Sequence, residues 1–359
     1  MTVTLVSDVV AGDRAVARLQ QLAAYVDRHS AAFCTSSGWL DAAARHLPGR
    51  PVVITVRAGE DPVGLAALSV TTRRGVQRVE LLGGDLNDYG QLFHDDPVAA
   101  EELAEAIAAW LAGQRRWSLS LGQLAEDDPA LAALARRLPG ASVHVGPPMP
   151  RITGIGTDYV VSRNRRKKIK NATNRIEADG HGWETVVVDD PAALERWLPA
   201  VTELRRRRDH GSGRRSHLDD AQVLAFYTTV VGRLVSCGRA RMYLLLVDGQ
   251  VAGYSLAVLD GEVRRLYDGR VAEQFQAYRG GMVCDLLAVT DAADDPAVVT
   301  FDWLRGRTES KFGNAELRRV DLRATSHALV ATVDEWEQSA RRRIKAALPD
   351  AALRRLVAR

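Results

Sequence analysis

A pair of glycines in the second half of the chain is placed to bind phosphate. Arg279, Gly280 and Gly281 stand just before a helix that the sequence pattern starts near Met282. The first N–H groups of a helix lack acceptors within the helix, and glycines let an anion approach them closely. Arg279 would add a charged contact. The alternative interpretation is an ordinary turn with left-handed glycines.

Two basic segments could also meet an anion. Residues 163–170, which include Arg166 and Lys167, precede apolar positions at helical spacing, and this pattern predicts a helix with one apolar stripe. Cations in its first turn oppose the helix dipole, at about 0.3–1 kcal/mol each at low salt. Bound CoA phosphates, a tRNA backbone or a phosphorylated acceptor would offset that cost; a solvated surface helix is the alternative. Residues 205–215 predict a mobile loop that could close over substrate, or an ordinary exposed loop.

Carboxylates and phenols in the same half could act on an amine. Asp302 lies in an apolar strand between two aromatic residues, so it must be paired if it is buried. It could orient an acceptor amine or accept its proton, or it could pair with Arg305 or Lys311 for structure alone. Tyr267 and Asp268, on a neighbouring predicted strand, could face the same cleft or simply pack.

The elements that would position these residues occur twice. A strand, a tight turn and a second strand contain Gly64 in the first half and Gly253 in the second, 189 residues apart. In each copy a third strand, a helix and a short apolar strand follow, and two helices precede the hairpin. Turns are predicted at residues 83–85 and at Asp268-Gly269. This order predicts an α/β fold with two mixed, mostly antiparallel sheets flanked by helices.

The repeat also divides the chain. The proline-rich residues 146–150 predict a linker between the halves. We expect an N-terminal domain at 1–150, a basic linker helix at 151–180, a C-terminal domain with the active site at 181–330 and a helical tail at 331–359. In the N-terminal copy, a polar stretch could contact an acceptor or merely form turns: Asp85, Asn87, Asp88 and Tyr89.

Composition excludes several classes of protein. The 359 residues suit two domains of about 150–180 residues each. With 48 basic and 45 acidic residues, no strongly basic DNA-binding surface is expected. Three scattered cysteines and eight histidines show no metal-ligand spacing, and no apolar run reaches membrane-spanning length. We therefore expect a cytoplasmic protein without a metal or membrane span, as a monomer or homodimer.

Three stretches resemble one known family. Residues 33–39 are similar to the opening element of the BioF2-like or CelD-type acetyltransferases, relatives of the Fem-type aminoacyltransferases within the GNAT superfamily. Residues 162–180 resemble their basic linker helix, and residues 301–313 resemble their closing motif. The chain departs from the pattern at Ser310, where the family has Tyr, and in residues 276–281, where the glycines of the pyrophosphate loop are crowded at its end.

The resemblance implies two tandem GNAT-like domains and acyl transfer from an acyl-CoA to the amine of a small molecule or saccharide. An aminoacyl-tRNA donor and a non-catalytic duplicated binding domain are the alternatives. The family resemblance also places Lys311 at the reaction centre, where its charge would stabilise the developing oxyanion or a donor phosphate. The predicted catalytic residues are therefore Asp302, Lys311, Tyr267 and Asp268. The predicted donor-binding residues are Arg279, Gly280, Gly281, Met282, Arg305, Arg166 and Lys167.

Overall fold

The computed structural model describes residues 4–157, 161–305 and 312–327. These residues divide into two units, each with its own sheet. Unit 1 contains residues 4–148 and 318–327, and unit 2 contains the described residues from 149 to 317. The first boundary lies close to the predicted one at residue 150, whereas residues 318–327 belong to unit 1 although the sequence placed them in the second domain. The predicted tail at 331–359 lies outside the described residues.

Helices begin where the sequence supplies caps. Asp96, Asp128 and Asp190 each accept a backbone N–H from the first turn of a helix whose first residue is proline. The helices are α1 Asp13–Gln21, α2 Ala23–His29, α3 Ser37–His46, α4 Pro97–Ala112, α5 Pro129–Arg137, α6 Arg163–Ala178, α7 Pro191–Gly211, α8 Ala221–Ser236 and α9 Gly280–Asp294. In the part of the chain that the structure describes, no helix combines the length and apolar character needed to cross a membrane.

The strands alternate with these helices as the repeat predicts. They are β1 Leu5–Ala11, β2 Arg50–Ala58, β3 Asp61–Arg73, β4 Val76–Leu81, β5 Phe93–His94, β6 Trp117–Leu124, β7 Ser142–Val145, β8 Met149–Thr153, β9 Trp183–Val188, β10 Ala240–Val247, β11 Gln250–Asp260, β12 Val263–Val271, β13 Thr300–Asp302, β14 Ala315–Leu317 and β15 Val320–Thr325.

The two sheets share one plan. Unit 1 has the order β1-β2-β3-β4-β6-β15-β7, and unit 2 has β9-β10-β11-β12-β13-β8-β14. In both orders the third and fourth strands, β3·β4 and β11·β12, are antiparallel. The fifth strand joins the fourth in parallel, as β4·β6 and β12·β13. The predicted mixed, mostly antiparallel sheets flanked by helices are confirmed.

The repeated glycines occupy equivalent places. Gly64 stands opposite the last residue of β5, and Gly253 stands opposite the last residue of β12. A Cβ at Gly64 would lie 3.6 Å from the carbonyl oxygen of Ala99 in the first turn of α4. A Cβ at Gly253 would lie 3.1 Å from the carbonyl carbon of Gly280 in the first turn of α9. Each glycine therefore lets the helix that follows the meander pack against its sheet.

Two local predictions were wrong. Asp268-Gly269 is not a turn, because β12 continues through it to Val271, and a side chain at position 269 would lie 3.0 Å from the carbonyl oxygen of Tyr254. Residues 146–150 are not only a linker, because Met149 and Pro150 begin β8. Pro150 pairs with Glu316 of β14, and its carbonyl accepts the N–H of Trp303.

The helices of unit 2 cover opposite faces of its sheet. Side chains of α6 and α9 share a core with alternate residues of β10 and β11, including Tyr243, Leu245 and Ala257. The intervening residue Tyr254 points the other way, towards α7 and α8, where it shares the carboxylate of Asp268 with Arg205 and Tyr227. This arrangement gives the sheet an α9 face and an α7–α8 face.

Candidate functional site

A gap opens between the parallel strands of unit 2. β12 pairs with β13 only from Val263 to Arg265, and the last paired residue of β13 is Asp302. Beyond this point β12 continues to Val271 with β11 as its partner, while the chain after Asp302 turns away through Leu304, whose φ is +53°. Among the described residues no strand lies beside β12 there. We call this opening the strand gap.

The start of α9 lies in the chain between β12 and β13, the two strands that border the strand gap, and it has free backbone donors. Arg279 is the exposed N-cap residue, with φ +53°, and no side chain caps the helix. The N–H of Met282 bonds to the carbonyl of Arg279, but within the described part of the chain the N–H groups of Gly280 and Gly281 meet no backbone acceptor. Because these N–H groups lie at the positive end of the helix dipole, they can bind phosphate oxygens.

A buried ionic network lies on the α7–α8 face where β12 borders the strand gap. Oδ2 of Asp268 accepts hydrogen bonds from Arg205 Nη1 at 2.9 Å, Tyr254 Oη at 2.8 Å and Tyr227 Oη at 3.1 Å. Oδ1 accepts from Arg270 Nη1 at 3.2 Å. Both oxygens of this carboxylate are therefore engaged by protein donors.

The network keeps its groups in fixed charge states. Burial alone would raise the pKa of Asp268, but Arg205 and Arg270, together with the phenol hydrogen bonds, outweigh burial and hold this pKa below its usual range. Burial and the adjacent carboxylate raise the pKa of Tyr227 and of Tyr254 well above the usual phenol range. Near neutral pH, Asp268 is thus a fixed anion and both tyrosines remain protonated hydrogen-bond donors.

The end of α7 and the segment that follows it are tied to this network. Asp209 is buried, and its carboxylate accepts from Ser216 Oγ at 3.0 Å and from Arg270 Nε at 3.4 Å. Asp219 bonds to both His210 and Arg206. Residues 205–211 form the last turns of α7, so only residues 212–215 of the predicted loop at 205–215 lie outside a helix. The bonds of Asp209 and Asp219 hold the segment between them at both ends.

Asp302 is fully buried and belongs to a second ionic group. Its Oδ2 accepts from Arg265 Nη1 at 2.8 Å and from Arg151 Nη2 at 2.9 Å, and its Oδ1 accepts from the N–H of Leu304 at 2.9 Å. The carboxylate therefore joins β12, β8 and the turn after β13. These contacts fix the edge of the strand gap and leave Asp302 poorly placed to take a proton from substrate.

The other predicted site residues are spread over unit 2. Tyr267 is half-buried at an irregularity of β12, where the register with β11 shifts. Arg305 is exposed just beyond the turn after β13. Arg166 and Lys167 are exposed near the start of α6, whereas Tyr278, close to the start of α9, packs edge-on against His181 just past the other end of α6, with ring centroids 6.1 Å apart. At 1.5 Å per residue the two ends are about 18 Å apart, so Arg166 and Lys167 do not join the α9 donors.

Lys311 lies outside the described residues, and its role remains a prediction. Within residues 4–157, 161–305 and 312–327, no group of His, Cys, Asp and Glu side chains is arranged to hold a metal ion.

The corresponding gap in unit 1 is filled by the chain itself. β4 stops at Leu81, while β6 continues to Leu124. The N–H of Gly90 bonds to the carbonyl of Gln123 at 2.8 Å, and a Cβ at Gly90 would lie only 2.0 Å from the carbonyl oxygen of Gly122. Residues 82–92 thus form an insertion between β4 and β5 that closes the space beside β6.

Polar residues of this insertion serve its packing. Asn87 accepts from Trp39 Nε1 at 2.8 Å and donates to the carbonyl of Leu82, and Tyr89 is buried beneath the guanidinium of Arg319. The helix that follows, α4, is capped by the carboxylate of Asp96. Unit 1 therefore lacks both the open gap and the free helix start of unit 2.

Sequence reasoning missed Tyr227, Arg270 and Ser216, and it placed Asp209 in a loop instead of a buried network. A helical-period signal existed for part of the network, because Val201, Arg205 and Asp209 follow one another at intervals of four on the buried face of α7. A charged pair on an apolar stripe indicates a buried ionic partner elsewhere. Nothing in the local sequence identified Asp268 and Arg270 as that partner.

Comparisons with known proteins agree with this architecture. Residues 163–312 match the model of the Acetyltransferase (GNAT) domain family. In a comparison of the whole sequence with curated proteins, none matches. Among solved structures, FemX superposes with a TM-score of 0.59 at 10% identity, covering 88% of this chain and 98% of FemX.

Two further structures have the same fold. The C-terminal domain of a protein described as a lysylphosphatidylglycerol synthetase from Agrobacterium fabrum has a TM-score of 0.55 at 9% identity, covering 91% of this chain and 96% of that domain. A conserved protein of unknown function from Bacteroides thetaiotaomicron has a TM-score of 0.53 at 10% identity, with 86% and 97% covered. Residues 163–312 are thus similar to a GNAT acetyltransferase domain, and the sheet of unit 2 shares its plan with the sheet of unit 1.

Proposed function

We propose that the chain is an N-acyltransferase that moves an acyl group directly from an acyl-CoA-type thioester to the amine of a small molecule, with its reacting site in unit 2. The observation that carries this proposal is the open strand gap followed by the uncapped, glycine-rich start of α9. The filled gap and capped helix of unit 1 support placing the site in unit 2 alone. The closer relation to the CelD-type enzymes rests on sequence motifs.

The donor would bind with its pyrophosphate at the N–H groups of Gly280 and Gly281, beside Arg279. The N–H of Met282 is already bonded to the carbonyl of Arg279 and would not contribute. Gly253 lets this helix start lie close to β11. The thioester arm would enter the strand gap, where β12 beyond Arg265 has an edge without a strand partner. Backbone N–H groups along such an edge, around Tyr267, can stabilise the oxyanion of a tetrahedral intermediate. Arg305, beyond the turn after β13, would add a cation for the donor.

The amine would attack the thioester carbonyl from the α7–α8 face. A C–N bond forms, the C–S bond breaks, the departing thiolate takes up a proton, and the proton of the ammonium passes to solvent. Most of the acceleration would come from holding amine and thioester in contact. Asp268 has a lowered pKa and four protein donors, so we assign it to positioning Arg205 and Arg270. We assign Asp302 to shaping the gap, and Lys311 retains its predicted electrostatic role.

An aminoacyl-tRNA donor is a second candidate. The exposed basic start of α6 lies about 18 Å, along that helix, from the end where His181 packs against Tyr278. CoA phosphates bound at the start of α9 would not reach the cations at the start of α6. A nucleic-acid backbone is long enough to contact both helix starts. Such binding would weaken steeply with added salt.

Donor identity can be tested by supplying each donor to the purified full-length chain. Acetyl-CoA and longer acyl-CoAs would be incubated with a library of amines, and thiol release and amide formation would be followed together. We expect equal amounts of thiol and amide, unaffected by ribonuclease. Amide formation only with charged tRNA, abolished by ribonuclease, would overturn the acyl-CoA proposal in favour of the second candidate. No amide from either donor would favour a binding module.

A further inference from the structure

Arg270 occupies an unusual place for a charged residue. It lies on β12, an interior strand of the unit 2 sheet, one residue before the strand ends. Its side chain is nevertheless 31% exposed. Pairing opposite Tyr254 directs it to the α7–α8 face, away from the helix start where donor phosphates would bind. It is three residues beyond Tyr267, about 10 Å along the strand.

Two carboxylates and a carbonyl fix the guanidinium. Nη1 donates to Asp268 Oδ1 at 3.2 Å and to the carbonyl of Gly269 at 2.8 Å, and Nε faces Asp209 Oδ1 at 3.4 Å. Asp268 and Asp209 are themselves buried and held by other groups, Arg205 and Ser216 among them. An arginine held in this way loses little side-chain freedom when it binds a ligand.

One end of this guanidinium is left for a ligand. Within the described residues Nη2 contacts no acceptor, while Nε and Nη1 face the network. Nη2 carries two N–H donors on a planar, permanently charged group, which suits a carboxylate oxygen. Nη2 is therefore the end of this guanidinium that its own network contacts leave unused, on the face from which the amine would approach.

We propose that Arg270 binds a carboxylate of the acceptor, so that the acyl group is transferred to an amine that also carries a carboxylate, such as an amino acid. This inference rests on the proposed acyltransferase function and specifies its acceptor class. Arg270 acts as a specificity-determining residue that orients the acceptor, with its amine directed to the strand gap.

The charge balance favours a carboxylate over a phosphate. Arg205 and Arg270 are balanced by Asp268 and Asp209, so the network is neutral as it stands. A zwitterionic amino acid adds no net charge. A doubly charged phosphate would meet the two buried carboxylates that already share the guanidinium, and like charges at short range repel.

Matched acceptors test the inference. Each acceptor would be supplied with acetyl-CoA to the full-length chain as the free acid and as its primary amide, using α-amino acids and ω-amino acids, with uncharged amino sugars alongside. The amide keeps the amine and the side chain but removes the charge. We expect kcat/KM for the preferred acid to exceed that for its amide at least tenfold. In Arg270→Met, KM for the acid should rise at least tenfold with kcat nearly unchanged, and the preference should disappear; Arg270→Lys should restore part of it.

Three outcomes would overturn the inference. The enzyme could use amides or amino sugars as well as acids, it could prefer a phosphorylated amine to the acids, or Arg270→Met could keep the preference for acids. Arg207→Met on the exposed surface of α7 is the matched control and should behave like the wild type. Ligand-observed NMR with mixed acids and amides gives a readout that needs no turnover. Saturation transfer to the acids, lost in Arg270→Met, would support the inference even if acetyl-CoA proved the wrong donor, whereas no selectivity for acids would refute it.

Discussion

Replacing Asp268 by asparagine should strongly destabilise unit 2. The substitution preserves size but removes the negative charge that Arg205 and Arg270 share, and it places an NH₂ group where hydrogen-bond donors already point. The side chain of Arg205 is 10% exposed, so water cannot replace its lost partner. Removing one member of a buried ionic group costs about 3–5 kcal/mol. We expect a loss of that size in the free energy of unfolding of unit 2.

Glu203→Gln on α7, the helix that carries Arg205, provides the matched control. This substitution also converts a carboxylate to an amide, but Glu203 pairs with Arg207 on the surface, where the two side chains are 45% and 77% exposed. Such pairs contribute about 0–1 kcal/mol. Urea unfolding at pH 7 measures both variants, and hydrogen exchange by mass spectrometry assigns the loss to unit 2. A cost for Asp268→Asn that is no larger than for Glu203→Gln would refute the account of the network.

The pH dependence provides an internal check on the same variant. The pKa of Asp268 is lower in the folded than in the unfolded chain, so its ionised form stabilises the fold at pH values above the usual carboxylate range. That contribution is lost as pH falls through the lowered pKa. The stability difference between wild type and Asp268→Asn should therefore be largest near neutral pH and shrink below about pH 4.

Three further outcomes are expected. Lys311→Ala should lower turnover at least tenfold without changing the melting temperature; unchanged steady-state rates would remove it from the site. Gly90→Val should lower the melting temperature, because its Cβ would meet the carbonyl of Gly122, yet leave CoA affinity unchanged by calorimetry; weakened CoA binding would contradict the assignment of donor binding to unit 2. Charge reversal at Arg166 and Lys167 should alter acyl-CoA turnover less than threefold, and a larger loss would show that α6 contacts the donor.

Much of the fold could be predicted because the repeat is local. Gly64 and Gly253 and the turns between paired strands each report on a few neighbouring residues, and together they predicted both pairs of hairpin strands. The neighbours of β6 and β13 could not be predicted in the same way. β15 joins β6 although about 200 residues separate their paired positions, and β8 joins β13 despite beginning with Met149-Pro150. Such pairings depend on the assembled sheets.

The candidate site could be predicted only in part. The glycines at the start of α9 predicted an anion site through position alone, because the first N–H groups of a helix lack acceptors within it. That role remains a prediction. Asp268-Gly269 resembled a turn because the groups that bury Asp268 lie on α7 and α8, distant in sequence. The sequence indicated that Asp302 needed partners if buried. It did not identify Arg151 and Arg265 as those partners.

Calorimetric titration of CoA into three full-length proteins tests the central claim most directly. The wild type should bind one CoA per chain. Gly253→Val should weaken binding at least tenfold, because its Cβ would lie 3.1 Å from the carbonyl carbon of Gly280 and the larger side chain would displace the start of α9. Gly64→Val, at the equivalent place in unit 1, should bind CoA like the wild type. Two sites per chain, or loss of binding in Gly64→Val with retention in Gly253→Val, would contradict donor binding in unit 2.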